Sequence, residues 1–392
     1  MNILHLVYDE KFVDFTADVF DSLAGVTNRY LVIVNDSAAP YRYVRHRENM
    51  YPVTSSYFRR SRMRPDLEWC DSLIVHYLGI PGARMIVNAP AAIRVMWSAW
   101  GRDYYDILPH HASDLLQPST RRLLAQDAVR LSRMNAGNWA RLLFKPLRRR
   151  LVVDPLFRRA VGRVDVLSSP LPSELQIIRC AFGDLMRAEY AQLNYASIES
   201  TCGRGPRMVT GRDILVGNSA STTNNHADVF DLLSRIDVGD RRVVVPLSYG
   251  DGAYRDAVIE YGRRLLGDRL EPIVTFLPLD QYNQLIARCD VAIMGHRRQE
   301  ALGNILSAMH SGARLFLDSA SPAFRYLIER GAVISRLDDL SDCGARALTR
   351  LTTEERDTNR AVLAAEWSHE VVGRNARRVI EKLSCGATIA RA

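Results

Sequence analysis

The sequence predicts an α/β protein made of two doubly wound, Rossmann-like domains. Three observations lead there. Short apolar runs of strand length alternate with helix-period segments along almost the whole chain, the pattern of parallel βα units. At 392 residues the chain exceeds what one core ordinarily serves, about 150–200 residues. Residues 200–212, STCGRGPRMVTGR, interrupt the alternation with glycine, proline and arginine and carry no apolar period, the composition of a linker.

Taken in order, the first half places strands at 3–7, 30–34, 72–76, 93–97 and 164–168, with helical patterns at 14–23 and across the basic segment 120–150. The second half places strands at 213–216, 242–246, 273–276, 291–294 and 314–318. Helical patterns at 227–235, 254–266, 279–287 and 303–311 fall between them. The expected organisation is an N-terminal domain over 1–200, a linker over 201–212, a second domain over 213–352, and C-terminal helices over 353–392 that pack across the junction. Ligands of such sheets bind outside the carboxyl ends of the strands. Two domains facing each other across a cleft, each contributing one ligand, are therefore expected.

Composition narrows the class. An apolar share of 47% and a charged share of 24% describe a folded globular chain. No run approaches the ~18 uncharged apolar residues of a membrane-spanning helix, and NILHLVY at the start reads as a strand rather than a secretory leader. The six cysteines (70, 180, 202, 289, 343 and 385) form no CxxC pair, which disfavours a disulfide framework or zinc site and suits a reducing, cytoplasmic setting. The net charge of +8 is concentrated: residues 121–163 hold twelve Arg or Lys against Asp127 and Asp154. Such a patch suits the anionic inner face of the cytoplasmic membrane. The plainer reading is a solvated helical face in a chain with only three Lys among 52 basic residues. Nucleic acid is not expected, because no aromatic RNA-binding motif or helix-turn-helix is present.

Neither half carries G-x-G-x-x-G, a P-loop, D-x-D or H-E-x-x-H, so the common dinucleotide, nucleotide and metal signatures are missing. The chemistry then rests on strand-end segments. Gly217-Asn218-Ser219 ends a strand and leads through SerThrThr and two asparagines into a helix. Its backbone N–H groups and hydroxyls suit a phosphate, although an ordinary polar loop with an asparagine cap gives the same pattern. His296-Arg297-Arg298-Gln299 follows another strand and runs into Gly303-Asn304 at a helix entrance, where a diphosphate would dock. In the first half, Trp97-Ser98-Ala99-Trp100-Gly101-Arg102-Asp103-Tyr104-Tyr105 ends a strand in aromatics around an acid. Asp103 in such surroundings is a candidate general base, with His76 its rival, and the rings of Trp100 and Tyr105 suit a sugar. The pair Asp9-Glu10 reads as a turn or helix cap.

These segments together resemble the bacterial TDP-N-acetylfucosamine:lipid II transferases of enterobacterial common antigen assembly, glycosyltransferase family 56. The residues that carry the resemblance are His76, Trp100-Gly101-x-Asp103-x-Tyr105, and Ile214-Leu215-Val216-Gly217-Asn218-Ser219 with Asn224 and His226. Val243-Val244-Val245-Pro246 with Tyr249 and Tyr254 follows, then Tyr282, Leu285, Cys289-Asp290, Gln299 and Gly303. The match covers roughly residues 70–335. Glu300-Ala301-Leu302-Gly303-Asn304 departs from the family's small, Gly-rich approach to the last donor helix. The resemblance implies a GT-B architecture, with the donor in the second domain and the acceptor in the first. It also implies inversion at the anomeric carbon with neither metal nor other cofactor.

The expected function is transfer of a deoxy or amino sugar from a nucleotide-diphosphate donor, TDP-linked by resemblance, to a lipid-linked or surface-polysaccharide saccharide. Gly217, Asn218, Ser219, Arg297, Gln299, Gly303 and Asn304 would hold the donor, with Tyr249 and Tyr282 at its base or sugar, and Trp100 and Tyr105 would hold the acceptor. The enzyme would sit peripherally on the inner membrane surface. A nucleotide-sugar epimerase or hydrolase of the same fold, and a non-catalytic polyanion binder, are the alternatives.

Overall fold

A computed structural model describes residues 1–105, 114–132, 154–203 and 208–384. Of the basic stretch 121–163, residues 133–153 lie outside the described residues, as do 204–207 of the expected linker and the terminal 385–392. Two compact units result. The first takes its described residues from 1–105, 154–197 and 369–384, and the second from 114–132 and 198–368.

The first unit is a seven-stranded sheet of β1 (Asn2–Tyr8), β2 (Thr27–Ile33), β3 (Met50–Val53), β4 (Ser72–His76), β5 (Arg94–Ser98), β6 (Val166–Ser168) and β7 (Glu189–Tyr190) in the order β3-β2-β1-β4-β5-β6-β7. The second is a six-stranded sheet of β8 (Asp213–Val216), β9 (Val243–Pro246), β10 (Leu270–Ile273), β11 (Cys289–Met294), β12 (Arg314–Leu317) and β13 (Ser335–Arg336) in the order β10-β9-β8-β11-β12-β13. Both are parallel, so the two doubly wound sheets expected from the sequence are present. β4 and β11 are buried at every residue, because a parallel sheet has helices on both faces. Three edge strands do not stand out in the sequence: β7 and β13 are two residues each with little apolar content, and β3 is a four-residue strand interrupted by Pro52. β10 begins three residues before its expected start: the apolar run beyond Ile273 leaves Val274 and Phe276 exposed, while Leu270 packs into the core.

Two segments join the unit opposite to the one their sequence position suggests. The helix His369–Ser384 sets Val372, Ala376, Val379 and Leu383 against Ile3, Phe20, Ile74 and Met96 in the first core. That spacing is a single helical stripe. The preceding helix Thr353–Trp367 stays with the second unit, opened by a Thr352–Glu355 capping box and closed by Trp367 against Tyr326 at 5.6 Å. Conversely, the helix Pro118–Ser132 packs in the second unit, with Leu123 in its core. The linker expectation also changes, since Val209 and Thr210 donate backbone hydrogen bonds to Ser311 and Ala287 and lie against the second unit.

The start of the helix Pro118–Ser132 explains its docking. Proline suits the first helical position, having no N–H to leave unsatisfied. The side chain of Gln117, which would cap the helix, instead donates to Asp318 at 3.0 Å. The next two N–H groups, of Ser119 and Thr120, donate to the two oxygens of Asp228 at 2.7 and 2.9 Å. Asp228 sits in the first turn of the helix His226–Leu233. A carboxylate from a neighbouring helix thus serves as the N-cap. Asp228→Asn keeps the size but turns an amide donor toward an N–H, and is expected to lower the stability of the second unit by about 1–2 kcal/mol. A urea titration followed by tryptophan fluorescence measures this; an unshifted midpoint would remove Asp228 from its capping role.

Candidate active site

The strand order of the second unit reverses between β8 and β11, the place where a doubly wound sheet receives its ligand. The loops leaving these strands are tied together by side chains. Gly217 turns the chain at φ +67, and a Cβ there would stand 2.5 Å from Asn224 Oδ1 and 2.7 Å from His226 Nε2. Asn224 Oδ1 accepts the Asn218 N–H at 2.8 Å. The Asn218 amide then reaches both ways: Nδ2 donates to the Tyr249 hydroxyl at 3.0 Å, and Oδ1 meets His296 Nε2 at 3.2 Å from the loop after β11. Asn225, itself left-handed at φ 53, donates to the carbonyls of Gly295 at 2.8 Å and Leu115 at 3.0 Å.

This geometry corrects the expectation for Gly217-Asn218-Ser219. The backbone N–H groups of Gly217, Asn218, Ala220, Asn224 and Asn225 are all donated inside the unit, to Ile293, Asn224, Tyr249, Ser221 and Thr222 respectively. Asn218 and Ser219 are buried. The N–H groups of Gly217 and Asn218 therefore brace the loops rather than face outward for a phosphate.

The two arginines differ from expectation as well, since each faces a carboxylate of its own unit. Arg297 Nε donates to Asp318 at 2.9 Å, and Arg298 Nε donates to Glu300 at 2.8 Å. Glu300 also accepts from Thr223 Oγ1 at 2.5 Å and Asn224 Nδ2 at 3.4 Å, which links the β11 loop back to the β8 loop. Burial pushes the Glu300 carboxyl up, but the positive groups around it and hydrogen bonds from Arg298 and Thr223 outweigh burial and hold it at about 2. Burial pushes His226 down to about 3 and lowers His296 as well, with the charge of Glu300 opposing the shift at both.

What remains open is the N-terminus of the helix Leu302–Ser311. Its N-cap is Ala301, left-handed at φ 59 and without a side-chain oxygen, and among the described residues no side chain accepts from the first turn. Gly303 has room, as the nearest atom to an added Cβ is Thr201 Cγ2 at 3.8 Å. Asn304 Nδ2 donates to the Tyr282 hydroxyl at 2.5 Å, and Gln299 is buried nearby in sequence. Burial raises the Tyr282 phenol, which therefore stays protonated. Tyr249 and Phe276 expose half or more of their surface after β9 and β10.

In the first unit the order reverses between β1 and β4. Rings from four strand exits gather here: Phe12 lies 4.6 Å from Tyr195 and 6.1 Å from Trp100, and Trp100 lies 6.3 Å from Tyr77. Tyr77 holds φ +68, a costly conformation for a ring-bearing residue. Asp103 stabilises it. Its Oδ2 accepts the Leu78 N–H at 3.0 Å and Trp97 Nε1 at 2.8 Å, and its Oδ1 accepts the Trp100 N–H at 3.0 Å. Burial pushes Asp103 up to about 6 against these hydrogen bonds. Both oxygens are occupied and the residue is 2% exposed, which suits positioning rather than proton abstraction.

His76 is equally enclosed. Its Nε2 meets His5 Nδ1 at 3.1 Å, and burial pushes its pKa well below the ordinary range. Tyr105 is buried against Tyr104 rather than presented to a ligand. Of the pair Asp9-Glu10, Asp9 accepts the N–H groups of Arg42, Tyr43 and Val44. Glu10 remains exposed at the exit of β1, its pKa raised by desolvation that the charge of Lys11 only partly opposes.

Residues 197–359 match the sequence profile of the family described as 4-alpha-L-fucosyltransferase, glycosyl transferase group 56. The chain is a glycosyltransferase of GT-B fold. The matched stretch spans the whole β8–β11 site of the glycosyltransferase, from Gly217 to Asn304, and bears out the resemblance over those residues. Solved structures agree on the fold. The α,α-trehalose 6-phosphate synthase of Burkholderia multivorans superposes with a TM-score of 0.64 at 13% identity, covering 100% of both chains. Anabaena HepE, solved in complex with UDP and glucose, gives 0.63 at 15% identity over 98% of this chain and 100% of that one. The lipopolysaccharide outer core galactosyltransferase WaaB gives 0.61 at 12% identity over 97% and 99%.

The ionised Glu300 links the two loops of the second unit, so its removal is expected to be costly. Glu300→Gln should lower stability at pH 7 by about 3 kcal/mol, the scale of breaking a buried charge pair. Because the folded pKa lies below the unfolded value, that contribution is full above the ordinary carboxylate range and is lost as pH falls toward 2. Urea unfolding of both proteins at pH 7 and pH 3 checks this; a gap that widens at low pH contradicts it.

Proposed function

We propose that this glycosyltransferase moves a deoxy or amino sugar, with inversion, from a nucleotide-diphosphate donor to a hydroxyl of a lipid-linked or surface-polysaccharide saccharide. The observation that carries the donor half is the uncapped N-terminus of the helix Leu302–Ser311, with Gly303 open above it and Asn304 held by Tyr282. Free N–H groups at a helix start attract a diphosphate. They also stabilise the charge it gains on departure. Arg297, about a third exposed and engaged through Nε, adds charge at the same edge, and the exposed rings of Tyr249 and Phe276 suit the base. TDP is proposed on the strength of the family resemblance. The donor sugar, the acceptor and the cytoplasmic face of the membrane belong to the same proposal. No helix of the described residues is long and apolar enough to cross a membrane, and a peripheral placement is part of the reading.

For the acceptor half, the rings of Phe12, Trp100 and Tyr195 offer apolar faces on which a sugar stacks. Glu10 is the general base in this reading, because among the described residues it is an exposed acid at the exit of β1, beside the rings of Phe12 and Trp100. It takes the proton of the acceptor hydroxyl while that oxygen bonds to the anomeric carbon. The bond from that carbon to the diphosphate oxygen breaks, and its electron pair leaves with the nucleotide. Asp103 and His76 position the β4 and β5 exits around it.

Two measurements test the halves separately. Gly303→Ala should leave the apo melting temperature unchanged or slightly raised, since alanine favours a helix by roughly 1 kcal/mol. The same change should remove the thermal shift given by TDP in a panel with UDP, GDP and CMP. A wild-type protein stabilised by none of the four would overturn the donor reading. Glu10→Gln should keep that thermal shift and lower turnover by ~100-fold or more. Wild-type kcat/KM should rise with pH through a pKa above the ordinary glutamate value. Turnover retained by Glu10→Gln would exclude it as the base.

A further inference from the structure

Two adjoining cavities open on the first unit away from the strand exits just described. One, of about 420 Å³, is lined by Arg158, Arg159 and Arg163 with Val87, Gly162 and Leu185. The other, of about 760 Å³, is lined by Arg60, Arg64 and Glu68 with Leu67, Asn88 and Pro90. The C-terminal turn of the helix Ile80–Asn88 forms the ridge between them, and Arg163 Nη2 crosses to the Pro90 carbonyl at 3.2 Å. The two cavities are therefore one surface. Its arginines come from sequence regions about a hundred residues apart, the run Arg59-Arg60-Ser61-Arg62-Met63-Arg64 and the helix Asp154–Val161 with the turn after it.

The charge on this surface is not balanced from within. Arg64 pairs with Glu68 at 2.6 Å. Among the described residues Arg60, Arg158, Arg159 and Arg163 make no ion pair. Guanidinium groups gathered this way repel one another unless an anion from outside joins them, and their fork geometry fits phosphate oxygens. The walls between them are aliphatic: Leu67, Val87, Pro90 and Leu185. Among the described residues no aromatic ring lines either cavity, so they supply no stacking platform of the kind single-stranded nucleic-acid binders use. Phosphate-matched charge over aliphatic walls is the complement of a lipid headgroup and its glycerol.

We propose that this arginine face, built from the helices Arg60–Trp69, Ile80–Asn88 and Asp154–Val161, docks the enzyme on an anionic phospholipid surface. It deepens the reading of a membrane-borne acceptor and rests on that reading for its purpose. Vesicle binding needs no turnover, so the failure of one and of the other are distinguishable.

The full-length protein is sedimented with vesicles of phosphatidylcholine alone or with about 30% phosphatidylglycerol. Binding is expected only to the anionic vesicles, with release in about 0.5 M salt, where such attraction is screened. The combined variant R60Q/R158Q/R159Q should bind at least ~10-fold more weakly, since each surface arginine contributes a factor of about five. Its thermal unfolding and its response to TDP should stay as in wild type. A second variant, R263Q/R264Q, removes two exposed arginines at the end of the helix Gly252–Leu266 in the second unit and should retain at least half the binding. Loss in the second variant with retention in the first overturns the proposal, as does a wild type that ignores anionic vesicles. Tighter binding to single-stranded RNA than to vesicles, abolished by the first variant, would reassign the face to nucleic acid.

Discussion

The site of the second unit depends on one side chain folded back under the end of a strand. Asn224 Oδ1 takes the Asn218 N–H, and this closes a turn that is sterically possible only because Gly217 has no Cβ. Once closed, the turn presents the Asn218 amide sideways, to Tyr249 on one flank and His296 on the other. The opposite edge of Asn224 reaches Glu300, which holds Arg298. Three strand exits are thus held by a connected set of buried polar groups. Such sets are costly when half-satisfied and rigid when complete. Under the proposed function, such rigidity means that the loops beside the start of the helix Leu302–Ser311 need no reorganisation when charge develops on a departing diphosphate.

The first unit uses the same device with a different residue. Asp103 gathers the N–H groups of Leu78 and Trp100 and the indole of Trp97, and so fixes the exits of β4 and β5 and the left-handed Tyr77 between them. In both units a small buried polar side chain supplies order, while the groups suited to meeting substrate lie beside it. The distinction matters for chemistry. A carboxylate with both oxygens occupied is a poor proton acceptor even when burial raises its pKa, and this is why the proposed base is the exposed Glu10 rather than Asp103.

Much of the architecture was legible in the sequence because parallel strands buried on both faces read as continuous apolar runs. SLIVH and CDVAIM are examples. The edge strands were not legible, since β3, β7 and β13 bury few of their residues and have no pattern to display. The site was legible as a set of strand ends, and Gly303-Asn304 and Asn218 do stand at the switch point. Their roles were not. That Gly217 and Asn218 donate their N–H groups internally, that Arg297 and Arg298 face Asp318 and Glu300, and that Tyr105 is buried depend on which groups meet in the folded chain, whether two residues apart, as Arg298 and Glu300, or 21 apart, as Arg297 and Asp318. Glu300 was visible only as a departure from a Gly-rich motif, and Phe12, Tyr77 and Tyr195 were visible only as scattered aromatics.

By itself the sequence determined that this chain forms two parallel α/β sheets, and which loops stand at their carboxyl ends. Both follow from local periodicity and from glycine and asparagine at turns. It also determined that the chain carries a family 56 stretch, since motif residues keep their order whatever their contacts. Only the tertiary structure decided which polar groups are used up in holding the loops and which are left to act. It likewise decided that the helices Pro118–Ser132 and His369–Ser384 trade units and that arginines a hundred residues apart share one face. The physical reason is common to all three. A hydrogen bond or a charge pair is defined by distance in space, and the sequence records distance only along the chain.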